Sequence, residues 1–437
     1  MTGARLPAPD AYAPQSGDLS YDVESYDIEI TYKPSTNRLS GRAVLNAVAR
    51  RPIRSFTVDL VGLRASRVRV DGDRRTAYRQ GPRMIRVTPS SAIALDERFS
   101  VEITYAGSPA PRRSRWGTIG WEELEDGVLV AAQPTGAPTW FPCNDRPDDK
   151  ATYRIAVTTD VAYRVVATGE RVALGRVGGA ATWVFEQAAP TPTYLVAVQI
   201  GRYVETPVDL DGVTGMLHHP RDLTAAVGTA FADLPNMMRV FQGVFGPYPF
   251  SRYDVVVTAD PLEIPLEAQG MATFGSNHLD GSEERLIAHE LAHQWFGNSV
   301  GLAHWRDIWL NEGFACYAEW IWSEASGGPS VAACAAAHHA MLRVLPQDLL
   351  LSDPGPDLMF DDRVYKRGAL TLHALRLRIG EAAFFEVLRR WCAERRHGLA
   401  TTEDFVVCAE SVADAPLADL FMSWLSQTSL PVLAASH

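Results

Sequence analysis

Two histidines four residues apart enclose a glutamate in the run His289-Glu290-Leu291-Ala292-His293. Ser282, followed by Glu283 and Glu284, predicts a helix opening just before it, because a small polar residue caps free N–H groups and acidic side chains suit the first turn. Residues four apart on that helix stand about 40° apart around the axis, so both imidazoles leave one face and can chelate one ion. Glu290 points to an adjacent angle. It is poorly placed as a third ligand but can reach a water on the open side of the metal, where a carboxylate serves as general base. Nineteen residues after His293, Glu312 lies in Trp309-Leu310-Asn311-Glu312-Gly313-Phe314-Ala315, at the start of a second predicted helix. Two histidines and a glutamate leave a fourth tetrahedral position open, the pattern of catalytic rather than structural zinc. One zinc ion per chain is therefore expected on His289, His293 and Glu312.

The rest of the chain must position these groups. Up to about Gly201 the pattern alternates with period two, as in Tyr26, Ile28, Ile30 and Tyr32, in Phe56, Val58 and Leu60, and in Val101, Ile103 and Tyr105. Such runs, punctuated by Asp71-Gly72 and Gly178-Gly179, predict strands with one buried face. Past Leu223 the texture turns helical, with strands expected at Tyr253 to Ala259 and Met271 to Phe274 and helices over 283–296, 311–324, 330–344, 366–378, 381–394 and 416–427. The expected class is α+β: an antiparallel β domain over 1–205, sandwich-like or saddle-like, then a mostly helical domain over 206–437. With 46% hydrophobic and 21% charged residues the composition is that of an ordinary folded protein, and excludes disordered, collagen-like and coiled-coil chains. A net charge of -11 argues against a nucleic-acid or anionic-membrane binder. No run of 18 apolar residues and no apolar signal segment is visible, so the expected location is cytoplasmic and no membrane association is expected. The five scattered cysteines contain no CxxC pair and read as reduced, packed thiols.

The spacing of His289, Glu290, His293 and Glu312, in an Asn-Glu-Gly-Phe-Ala context, resembles the zinc aminopeptidases of the gluzincin group, the relatives of aminopeptidase N and leukotriene A4 hydrolase (peptidase family M1). Further stretches extend the resemblance over nearly the whole chain. Trp140-Phe141-Pro142-Cys143-Asn144-Asp145-Arg146-Pro147 is similar to the family's FPCFDEP signature. Val364-Tyr365-Lys366-Arg367-Gly368-Ala369 is similar to its YEKGA segment, and Leu420-Phe421-Met422-Ser423-Trp424-Leu425 with Pro431 to the segment that closes its catalytic domain. The exopeptidase motif GAMEN matches less well. A gapless register lays it on Ile264-Pro265-Leu266-Glu267-Ala268, keeping the glutamate, the later Gly270 and Thr273. A second register, anchored on Gly270-Met271, would put Ala272 where the glutamate belongs.

What the resemblance implies is a thermolysin-like catalytic domain that hydrolyses N-terminal residues from peptides. Tyr365 would donate to the developing oxyanion. Glu267, and Gln133 ahead of the FPCNDRP stretch, would receive the substrate's free α-ammonium group. Glu319 or Asp307 could orient a liganding histidine. Peptides with a free N-terminus are the expected partners; nothing in the sequence indicates an oligomeric partner. Rival readings are an endopeptidase or an epoxide hydrolase on the same zinc, or a non-catalytic scaffold that keeps the fold. The chain stops six residues after Pro431, where family members commonly continue into a large helical domain, so a short form with a more open cleft is expected.

Overall fold

The strand Tyr21–Lys33 buries Tyr26, Ile28, Ile30 and Tyr32 and turns Glu29 and Thr31 outward, the alternation a half-buried strand requires. This strand belongs to the first of two compact units into which the computed structural model divides, one ending at Val204 and the next beginning at Glu205; residues 9–434 are described. Its seven-stranded sheet runs in the order Glu170–Val177, Ala180–Pro192, Lys150–Asp160, Tyr21–Lys33, Arg38–Ala49, Arg98–Gly107, Arg64–Val70. All neighbours are antiparallel except Tyr21–Lys33 with Lys150–Asp160, which run parallel. That departure from the expected antiparallel sheet has a topological cause. Parallel neighbours need a long crossover, and here the intervening chain forms a three-stranded sheet and most of a five-stranded one.

The stretch Trp140 to Asp145 is buried inside this unit. Asn144 Nδ2 donates to Asp149 at 2.6 Å and its backbone N–H donates to the Tyr26 hydroxyl at 3.1 Å, while Arg146 pairs with Asp148 at 2.8 Å and Asp22 at 3.2 Å. The segment is thus a polar knot tying the strands together.

The second unit begins within the strand Tyr203–Leu210, the first in a five-stranded sheet ordered Tyr203–Leu210, Val213–Pro220, Arg252–Val257, Met271–Phe274, Leu266–Ala268. The last strand lies at the edge, antiparallel to Met271–Phe274, with Glu267 opposite Ala272. Nine helices are described: α1 (Thr224–Ala230), α2 (Leu234–Phe245), α3 (Glu284–Ala292), α4 (Trp309–Ala325), α5 (Val331–Leu342), α6 (Asp362–Ile379), α7 (Glu381–Glu394), α8 (Thr402–Ala413) and α9 (Ala418–Leu425). Helices α1, α2 and α8 fall outside the ranges predicted from sequence. In α8 the start is written by Thr401, which accepts from the N–H of Asp404 while Asp404 answers the N–H of Thr401.

Helix α4 is buried from Trp309 through Trp322, so it has no solvent face and crosses the middle of the unit. Against it lies α6, and the contact is made by two glycines. A Cβ on Gly313 would stand 2.7 Å from the Cα of Gly368, and one on Gly368 would stand 2.7 Å from the Cα of Gly313. The backbones touch where Glu312 and Tyr365 leave them. Gly313→Ala should therefore cost about 1–3 kcal/mol through overpacking, read by chemical or thermal unfolding. Gly228→Ala on the exposed side of α1, with open space around it, should be neutral or stabilising. Equal stability of the Gly313→Ala protein and the wild type would contradict the close contact.

Candidate active site

Helix α3 buries Ile287, Ala288, Leu291 and Ala292 and carries His289 and Glu290 inward with them. The chain leaves its last turn at His293 and is fastened at once to the edge strand. Gln294 Oε1 accepts from the N–H of Gly270 at 2.8 Å, while Gln294 Nε2 and Asn298 Nδ2 donate to the carbonyl of Ala268 at 3.1 Å and 3.0 Å. Between those two anchors the strand turns through Gln269-Gly270, and Gly270 takes the positive φ of 74° that the tight turn requires. Glu267 is thereby fixed relative to α3.

The imidazole rings of His289 and His293 lie 4.7 Å apart, and each Nε2 stands 3.5 Å from the same oxygen, Glu312 Oε2. Their other ring nitrogens are occupied: His289 Nδ1 lies 2.7 Å from Glu319 Oε1, and His293 Nδ1 lies 3.1 Å from the carbonyl of Phe296. With each Nδ1 so occupied, Nε2 is the nitrogen left to serve as a ligand atom once the ring is neutral, and both Nε2 atoms face the carboxylate of Glu312. Ligand arms of about 2.0–2.1 Å in tetrahedral array would leave ligand atoms about 3.3–3.4 Å apart, close to the 3.5 Å found. The donor set fits one zinc ion. Of the two candidates for orienting a histidine, Glu319 makes the contact. Asp307 instead accepts from the N–H and hydroxyl of Thr402 at 3.1 Å and 2.6 Å, pinning the approach to α4 onto α8.

Glu290 takes no part in that triangle. Its carboxylate gathers with Glu267 and His293, and Glu290 Oε2 is buried with no hydrogen-bond partner among the described residues. Burial raises Glu290, the nearby Glu267 adding to the effect, and burial likewise raises Glu267. The Tyr365 ring stacks on His289 with centroids 6.0 Å apart. Burial pushes the Tyr365 hydroxyl up, with Glu312, Glu267 and Glu290 reinforcing it, so the phenol stays protonated and able to donate.

Burial works against charge on the histidines, but hydrogen bonds to Glu312 and Glu319 outweigh it and set His289 at about 10. For His293 burial is outweighed by Glu312 and Glu267, giving about 9. Glu312, despite its burial, is held low by the two imidazoles.

The structure thus brings together His289, His293, Glu312, Glu290, Glu267 and Tyr365. Gln133 belongs to the first unit, following the strand Gly127–Ala131; its Nε2 is buried without a hydrogen-bond partner, and its assignment rests on the resemblance. Sequence reasoning missed Gln294 and Asn298, whose work is done on main-chain atoms of another segment and leaves no spacing signal. Lys366, quoted within the YEKGA-like segment, was given no role, although that segment carries a glutamate at its place.

The Peptidase M1 N-terminal domain profile matches residues 23–195 and the Peptidase family M1 domain profile matches residues 230–424. The chain belongs to peptidase family M1. An M1 zinc metallopeptidase from Deinococcus radiodurans, solved as a mutant bound to a Tyr-Ser-Ala substrate, superposes with a TM-score of 0.90 at 31% identity, covering 98% of this chain and 99% of that one. Rice (Oryza sativa subsp. japonica) Aminopeptidase M1-A is 30% identical over 71% of this M1 chain, which spans 38% of the rice protein's length. Yeast LTA4 hydrolase shares the fold, with a TM-score of 0.80 at 19% identity over 98% of this chain and 71% of its own. The α+β class, a many-stranded N-terminal part followed by a helical M1 domain, is that of these structures. No helix among the described residues is long and apolar enough to cross a membrane.

Metal binding to this M1 site should displace protons, since Glu312 and Glu319 raise His289 and Glu312 and Glu267 raise His293, while ligation needs the neutral ring. Zinc affinity of the stripped protein should rise from pH 6 to pH 8, with net proton release seen by calorimetry in buffers of different ionisation enthalpy. A flat pH dependence with no proton release would refute this charge balance.

Proposed function

We propose that this chain is a zinc-dependent aminopeptidase that removes N-terminal residues from peptides. The observation that carries the reading is the pair of carboxylates beside the metal triangle. Water activation at zinc needs one, Glu290. Glu267 is a second, half-buried at the same spot and on the edge strand, and a substrate ammonium group would answer its charge.

His289, His293 and Glu312 would hold one zinc ion. When bound, that zinc supplies a Lewis acid that acidifies water and polarises the peptide carbonyl. Glu290 takes the proton of the attacking water on its unpartnered Oε2 and delivers it to the leaving amine. Tyr365, kept protonated by its surroundings, donates its hydroxyl to the oxyanion as the carbonyl carbon becomes tetrahedral. Glu267 accepts the α-ammonium group and so places the first peptide bond, rather than an internal one, at the reacting position. The fitting substrates are peptides with a free N-terminus, and the Deinococcus relative is described with a Tyr-Ser-Ala substrate bound.

Two measurements test this. Glu290→Gln should retain zinc and lower kcat by about a thousandfold; turnover within tenfold of wild type would remove Glu290 from the mechanism. On a panel of aminoacyl chromogenic amides and their N-acetyl forms, with and without a chelator, only free-amine substrates should be cleaved, and only without the chelator. Glu267→Gln should lower kcat/KM for the free-amine set by about tenfold to a hundredfold, the worth of a charge-assisted bond. Equal cleavage of blocked and free peptides would instead make the chain an endopeptidase.

A further inference from the structure

The carboxylate behind His289 is itself surrounded. Glu319 is almost fully buried on α4, and its Oε1 meets His289 Nδ1 at 2.7 Å. Its Oε2 lies 3.5 Å from Arg285 Nη1. Arg285 precedes His289 by four residues on α3, so the two side chains leave the same face and grip the two oxygens of one carboxylate. From α6 comes a second cation. Lys366 is buried, with Nζ 3.4 Å from Cys316 Sγ and 3.8 Å from Asp362, and its charge is felt by Glu319. Cys316 and Glu319 are three apart on α4, so Lys366 lies along the same face. A buried ammonium is costly unless an opposite charge compensates it. Asp362 is largely exposed and screened, and Glu319 is the buried carboxylate among the groups whose charge acts on Lys366.

We propose that Arg285 and Lys366 are positioning residues for the metal site, holding Glu319 in the orientation that fixes His289 with Nε2 toward the ligand triangle. This rests on the zinc reading above. Two helices then meet on one carboxylate, α3 through Arg285 and His289 and α4 through Glu319 itself, while Lys366 on α6 adds a buried positive charge beside Cys316, one turn away on α4. Removing either cation loosens the carboxylate that orients the ring, and the first quantity to suffer is metal affinity.

The test is zinc affinity of the full chain, stripped of metal and titrated against a chromogenic chelator, with unfolding of the metal-free proteins followed in parallel. Arg285→Met and Lys366→Met should each weaken zinc binding by about tenfold, the low end for partners of metal-bound histidines. Arg285→Lys, which keeps the charge, should recover most of the loss. Tight zinc binding by wild type with both methionine variants within twofold of it would overturn this proposal and leave the metal reading standing. No zinc binding by wild type would overturn both. Should Lys366→Met fail to fold, Arg285→Met, at a half-exposed position, decides alone.

Discussion

Three carboxylates are forced together inside a largely apolar unit, and everything around them answers that constraint. Glu267, Glu290 and Glu312 are near one another and near two histidines, and their repulsion would not be tolerated at such burial without positive charge. The neighbouring carboxylates raise both histidines, and burial with Glu267 beside it raises Glu290. Under the proposed function this arrangement would take a divalent cation at Glu312 with the two histidines and a monovalent one at Glu267.

Keeping these groups in place needs a frame that does not relax away from them. The frame is helical and is locked at backbone level. Gly313 and Gly368 bring α4 and α6 into contact, which sets the distance between Glu312 and Tyr365 without relying on side-chain packing. Arg367, next to Gly368, buries its guanidinium among the carbonyls of Trp424 at 2.9 Å and Thr428 at 2.7 Å, with Gln427 as a further acceptor. The YKRGA-like stretch and the segment after α9, separate in the sequence, are therefore two halves of one joint. Five donors in a planar fork make arginine suited to gather several carbonyls at once.

How much of this was legible follows from what kind of signal each part leaves. The ligand set could be read because helical geometry converts spacing into direction: four residues from His289 to His293 fix a shared face. Strands with one buried face, such as Tyr21–Lys33, could be read because alternation is a local property. The parallel pairing of that strand with Lys150–Asp160 could not, since pairing partners more than a hundred residues apart leave no local pattern. Nor could the choice of Glu319 over Asp307. Both are acidic and both flank Glu312, and only the packing of α3 on α4 brings one to His289 while Thr402 claims the other. Helix α2 is strongly amphipathic, burying Met237, Met238, Phe241 and Phe245, and was within reach of periodicity. The short α1, with Val227 as its one buried residue, was not.

The imperfect exopeptidase motif shows which parts of a motif are structural. In Ile264-Pro265-Leu266-Glu267-Ala268 the first three residues depart from Gly-Ala-Met, and Ala268 stands where the motif has asparagine. What fixes Glu267 lies on its other side. The turn at Gly270 sets the register, and the carbonyl of Ala268 and the N–H of Gly270 receive Gln294 and Asn298. Those anchors are main-chain atoms, indifferent to the side chain at position 268. An alanine there leaves the clamp intact, and the register that keeps the glutamate is the one in which Glu267 meets Glu290 and His293. In the competing register Ala272 would take that place, yet Ala272 is fully buried, paired opposite Glu267, and carries no group that could receive an ammonium ion. Of the three residues ahead of Glu267, Ile264 is well exposed, while Pro265 is buried and Leu266 pairs with Thr273 in the edge strand.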